Sequence, residues 1–104
     1  MIIVLATVKV LSGSMRQALE LSTEHVARSR QEPGCLSHAV LQDTGQPDHL
    51  FFVEEWESEE ALKNHIAVPA TAEFVNELIT MAVGRPSFRL FSASEMPFPH
   101  TSAA

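Results

Sequence analysis

Two residues in the middle of the chain have the types that move protons, Glu54 and His65, and Trp56 beside them offers an indole donor. Glu54 and Trp56 stand two apart in HLFFVEEW, residues 49–56, a run rich in aromatic and β-branched types that reads as a strand. Alternation along a strand puts both on one face. His65 follows in EEALKNHIA, where Ala61, Leu62, His65 and Ile66 recur at helical spacing and share an apolar side. If that side packs on that face, a carboxylate, an indole N–H and an imidazole line one partly apolar space. Such a set can bind an aromatic molecule and transfer a proton. The same residues also have a plain structural reading. A single histidine on an apolar helix face is more often bonded to a carbonyl or a water. A strand-end tryptophan is more often core, and Glu54 also belongs to the acidic run Glu54, Glu55, Glu57, Glu59 and Glu60.

The flanking sequence supplies the elements that would position these groups. Residues 2–11 are rich in Ile, Val and Leu, with Thr7 and Lys9 on one face and Ala6, Val8 and Val10 on the other, which is strand chemistry. Ser14 and Gln17 form a capping-box pattern opening a helix toward Gln31, with Met15, Leu19, Ser22 and Val26 along one side. Glu32-Pro33-Gly34 reads as a stop and turn. CLSHAVLQ, residues 35–42, reads as a second strand, joined through the turn composition of 43–48 to the third. Ser58 is a candidate N-cap, with Glu59 and Glu60 at the favourable end of the helix dipole and Glu59–Lys63 as a surface pair. This helix should reach about Ala67. After the interruption at Val68-Pro69, a second stretch from Thr71 to Val83 turns Phe74, Val75, Leu78, Ile79 and Ala82 inward. Gly84 and Pro86 end it, residues 87–94 read as a fourth strand, and residues 95–104 form a tail.

The order strand, helix, strand, strand, helix, strand is the split βαβ arrangement, so the expected class is α+β, ferredoxin-like, with one domain over residues 1–94. Helices cover one face of such a sheet. Here the strands carry apolar residues on both faces, as the neighbours Phe51 and Phe52 show. A second apolar face implies a homodimer through it.

At 104 residues the chain is one domain with a modest core, and a partner subunit would help it. A formal net charge of −6 with no basic stretch argues against nucleic acid and against anionic membrane surfaces. The apolar start MIIVLATVKVL lacks a basic flank and reads as a strand, not a signal peptide. The lone Cys35 allows no intrachain disulfide, which points to the reducing cytoplasm. Nothing cationic precedes Cys35, so it is a poor nucleophile. His25, His38, His49, His65 and His100 show no i,i+3 or i,i+4 pair and no His-x-His, so spacing gives no metal site. His38, in the middle of the second strand, is the second candidate for acid–base work. Arg85 and Arg89 are expected to pair with the acidic run more readily than with a substrate carboxylate.

The segments EPGCLSHAVLQD and PDHLFFVEEWESEEALKNHIAVPATAEFVNEL resemble the antibiotic biosynthesis monooxygenase domain family. The family pattern is met by Glu32-Pro33-Gly34-Cys35, Pro47, Glu54 with Trp56, Ala61-Leu62, His65, Pro69 and Phe74. The resemblance implies a dimeric α+β barrel with a pocket between sheet and helices in each subunit. It implies oxidation of a small phenol, quinol or polyketide-like molecule by molecular oxygen without metal or flavin. His65 would be the catalytic group, with Trp56, Glu54, His38, Thr7 and Phe74 about the substrate. Three departures stand out. Ala70 occupies the position where many relatives carry a second histidine; Thr7 replaces the asparagine of haem-degrading members; and there is no tyrosine. The alternatives are a non-catalytic dimeric ligand-binding or stress-response module, in which His65 is structural, and an isomerase or cyclase on the same fold.

Overall fold

A computed structural model describes residues 1–100; positions 101–104 of the expected tail lie outside the described residues. Seven elements follow one another: β1 (Ile2–Lys9), α1 (Met15–Ser29), β2 (Cys35–Gln42), β3 (His49–Trp56), α2 (Glu59–Ala67), α3 (Pro69–Ile79) and β4 (Ser87–Ser92). The strands form one antiparallel sheet in the order β2-β3-β1-β4. This is the ferredoxin-like α+β fold expected from the order of elements.

Alternation decides what each strand face meets. Val4, Ala6 and Val8 of β1 are buried, and so are Leu50, Phe52, Glu54 and Trp56 of β3. These residues face the helices. Ile3, Leu5 and Thr7 are half-buried on the opposite face. Register pairs Cys35 with Trp56, His38 with Glu54 and Val40 with Phe52. A bulge between Cys35 and Ser37 leaves Leu36 exposed.

The core falls into two apolar clusters. The larger holds Ala6, Val8, Ala18, Leu50, Phe52, Phe74 and Leu78, among others. The smaller holds Val4, Trp56 and Leu62. Glu54 lies on β3 between Phe52 of the first and Trp56 of the second, so a polar seam runs between them.

The helix ends depart from expectation in four respects. Ser14 is the N-cap of α1, but its side chain makes no cap hydrogen bond, so the capping box is absent. Helix α1 ends at Ser29, before Gln31. Pro69 opens α3 instead of preceding it. Val68, held extended by the following proline, caps the helix, and Pro69 takes the first helical position where its missing N–H costs nothing. Helix α3 stops at Ile79 because the next residues return to the sheet. Val83 N–H donates to Lys9 O at 2.7 Å, and Ala82 bridges Val10.

By contrast, Ser58 caps α2 as expected, its hydroxyl accepting from Ala61 N–H at 3.1 Å. Glu59 and Lys63 pair at 3.7 Å. Beyond β4, Ala93 exchanges hydrogen bonds with Met1, and Met96 and Phe98 are 72% and 90% exposed.

Candidate functional site

Four buried polar side chains converge on the seam from four elements: His25 from α1, His38 from β2, Glu54 from β3 and His65 from α2. Trp56 Nε1–H donates to Glu54 Oε1 at 2.9 Å. His38 Nε2 lies 3.4 Å from that same oxygen, off the line of a good hydrogen bond, and His65 Nε2 lies 3.9 Å from it. His65 Nδ1 meets Glu32 Oε1 at 2.6 Å, across 33 residues of chain. His25 stacks on Phe74, with centroids 3.9 Å apart and planes 3° apart.

Burial alone raises the Glu54 carboxyl, but the His38 contact and charge, the Trp56 N–H and the His65 charge outweigh it and leave Glu54 below its ordinary value. His25 is lowered too, but for a histidine that disfavours the charged form. Burial first, then the neighbouring His38, His65 and Arg28, lower it to about 3, against the pull of Glu54. His25 is therefore neutral at pH 7. Arg28 Nη2 lies 2.9 Å from His25 Nδ1, and a guanidinium only donates, so Nδ1 accepts and the ring proton sits on Nε2.

A cavity of about 450 Å³ opens beside the seam. Its polar end carries His25, Glu54, His65 and Thr71; its walls include Ala6, Phe52, Ile66, Phe74 and Val75. Phe88 and Leu90 of β4 close the far side. Both are on the helix side of the sheet and both are 56% exposed, because the helices pack over β2 and β3 and leave β4 uncovered. The volume is within the range of small-molecule sites.

Of the residues the sequence singled out, Glu54, His65 and Phe74 line this cavity. Trp56 does not: it is wholly buried behind His65, ring centroids 4.5 Å apart, and holds Glu54. His38 is also behind the wall, 1% exposed, with neither ring nitrogen hydrogen-bonded. Thr7 borders the cavity, although alternation sets its side chain with Ile3 and Leu5 on the other face. Arg89 lies over the Phe91 ring at 5.0 Å instead of joining the acidic run. Burial raises the Cys35 thiol, in keeping with a poor nucleophile.

Sequence reasoning missed His25 and Glu32. The signal for His25 was the small-residue stripe Ala18, Ser22, Ser29, which marks the buried side of α1 with His25 in its midst.

Spacing also hid the histidine cluster, since its members come from three elements. His25, His38 and His65 offer nitrogens within 4.8 Å of one another. A tetrahedral zinc ion needs its nitrogens about 3.3 Å apart. The rings would have to close in, and the Arg28 bond leaves His25 Nε2 without a lone pair. The trio as it stands is a group of packed imidazoles and not a preformed metal centre.

Comparison with known proteins agrees with this architecture. Residues 1–77 match the family described as Antibiotic biosynthesis monooxygenase, and the chain belongs to it. A Deinococcus radiodurans protein described as a candidate antibiotic biosynthesis monooxygenase superposes with a TM-score of 0.90 at 25% identity, covering 97% of this chain and all of that one. A second structure, described as an antibiotic biosynthesis monooxygenase, gives 0.84 at 28% identity over 91% of this chain and all of its own. An uncharacterised protein of Synechocystis, sll1783, is 27% identical over 94 residues, which are 90% of this chain and 64% of that relative. The chain thus spans under two thirds of that relative's length.

Proposed function

We propose that the protein is a cofactor-independent monooxygenase that oxidises a small phenol, quinol or polyketide-like aromatic with molecular oxygen. The observation that carries this reading is the meeting of an apolar cavity with one acid–base corner, His65 beside the carboxylate of Glu54. An aromatic ring would lie between the walls that Phe52, Phe74, Phe88 and Leu90 form. Its hydroxyl would then reach His65. Loss of the hydroxyl proton to His65 leaves the electron pair on the substrate, which becomes electron-rich enough to reduce oxygen. One oxygen atom enters the product and the other leaves as water; the substrate supplies all four electrons by ending at the quinone level, so no external reductant is needed. Family membership supports the reaction class.

A homodimer through the open sheet face belongs to the same proposal. That face carries Leu41, Phe51 and Phe91, which are 55%, 36% and 38% exposed, together with the half-buried Leu5 and Val53. Apolar surface of this kind marks an interface. The same reading puts the protein in the cytoplasm, which its single cysteine supports. No helix among the described residues is long and apolar enough to cross a membrane.

The test is oxygen uptake by metal-stripped protein on hydroquinones and hydroxylated polycyclic aromatics, run beside His65→Ala. Uptake that falls in the variant supports the reading. Absence of uptake across the panel moves it to a ligand-binding module with a structural His65.

A further inference from the structure

We propose that Glu32 is the positioning residue of this site: it fixes the proton of His65 on Nδ1 and so makes Nε2 the base that faces the cavity. The inference rests on the acid–base role given to His65 above. Its ground is geometry. Glu32 Oε1 lies 2.6 Å from His65 Nδ1, and both side chains are shielded, at 14% and 4% exposure. A carboxylate accepts, so Nδ1 carries the hydrogen; a neutral imidazole has only one, so Nε2 is bare. The nearest carboxylate oxygen to Nε2, on Glu54, is 3.9 Å away, too far to bond it. Nε2 therefore has a lone pair at the polar end of the cavity with no protein donor on it.

The surroundings favour this division of labour. His25 faces His65 from α1 with centroids 5.4 Å apart, and His38 faces it from β2 at 5.8 Å. His25 is tied to Arg28, and Glu54 to the Trp56 N–H, so neither competes for the Glu32 bond. When a substrate O–H bond breaks, the proton forms N–H at Nε2 and the electron pair stays on oxygen. The resulting imidazolium then lies between two carboxylates, Glu32 at Nδ1 and Glu54 at Nε2. This is the logic by which a buried carboxylate orients a catalytic histidine in hydrolase triads.

Two features of the chain build the contact. Glu32 lies in the α1–β2 connection, where Cys35 N–H donates to Glu32 O at 3.2 Å. Gly34, at φ +82°, lets that connection lie against Ala61, one turn before His65 on α2. The motif Glu-Pro-Gly-Cys and the helix that carries His65 are thus one mechanical unit.

The experiment reads the ring directly and needs no substrate. Long-range ¹H–¹⁵N spectra of the full chain at neutral pH should show His65 protonated on Nδ1 and bare on Nε2. In Glu32→Gln the amide can turn its NH₂ to Nδ1, so the Nε2–H form should gain. Glu32→Asp, which keeps the carboxylate, should retain the Nδ1–H form at least in part. On any substrate the wild type turns over, Glu32→Gln should lower kcat on the order of 10³-fold with little change in KM. A wild-type ring protonated on Nε2, or a tautomer indifferent to Glu32→Gln, overturns the inference. Spectra as expected without oxygen uptake on any substrate would leave the positioning role standing and remove the oxygenase reading instead.

Discussion

The indole of Trp56 does not line the cavity; it donates its N–H to Glu54 Oε1 at 2.9 Å from behind. That one bond explains why a tryptophan ends β3. Alternation puts residues 54 and 56 on the same face, and the indole both fills the smaller apolar cluster and offers a donor two residues back.

Trp56→Phe keeps most of the ring and deletes the donor. A hydrogen bond to a charged acceptor contributes about 1.5–3 kcal/mol, and the bulk lost adds to that. We expect urea unfolding to show a loss of about 2–4 kcal/mol. A loss under about 0.5 kcal/mol would mean that Glu54 does not depend on the indole.

Acid should weaken the protein in two windows. An unfolded chain protonates His25 near 6.5, whereas the folded protein resists until about 3. Between those values the unfolded state binds more protons, so stability falls as pH falls from about 6.5. Glu54 has its folded value below 4.5, so its contribution is present above 4.5 and is lost as pH drops through the folded value. A comparison at pH 7 and pH 5 isolates the first window. His25→Phe keeps the stack on Phe74 and should show a smaller fall in the urea midpoint between these pH values than wild type. An equal fall in both proteins would remove His25 as the cause.

What the sequence disclosed and what it hid divide along one line. Glu54, Trp56 and His65 were legible because each lies on an element whose period is visible, so faces could be assigned. The fold was legible for the same reason. His25 and Glu32 were not. Periodicity in α1 was read from Met15, Leu19, Ser22 and Val26; Ser22 and Val26 are buried, but the buried side also takes in His25 and Ser29, which carry little hydropathy signal. Glu32 reaches His65 across 33 residues from a connection with no period at all. The openness of the cavity depends on which strands the helices leave bare, and no local pattern in Phe88 or Leu90 records it.

Gly34 is where the backbone fixes the site. Its φ of +82° disfavours any side chain, and a Cβ there would stand 2.5 Å from the Ala61 Cβ. Gly34→Ala should therefore cost about 1–2 kcal/mol in backbone conformation and more in displaced helix. Ala61→Gly removes the clash but not the φ penalty, and itself costs about 1 kcal/mol in helix propensity. The double variant should be more stable than the sum of the two single losses predicts, by about 1 kcal/mol or more. Strict additivity would show that the Gly34–Ala61 approach imposes no constraint on α2.

The open sheet face gives the last prediction. Val53 sits at the centre of that face, paired with Leu5 on β1 and Ala39 on β2, and Phe51 lies two residues along the same strand. A charge there would be desolvated in a dimer and solvated in a monomer, so Val53→Arg should shift the equilibrium toward monomer by several kcal/mol. The half-buried position of Val53 in one subunit lets an arginine reach water, so the monomer should still fold. Sedimentation velocity should find the wild type at twice the 11.4 kDa chain mass and Val53→Arg at the chain mass, with the far-UV spectrum unchanged. A wild type that sediments as a monomer at tens of micromolar would remove a second copy as the cover of this apolar face.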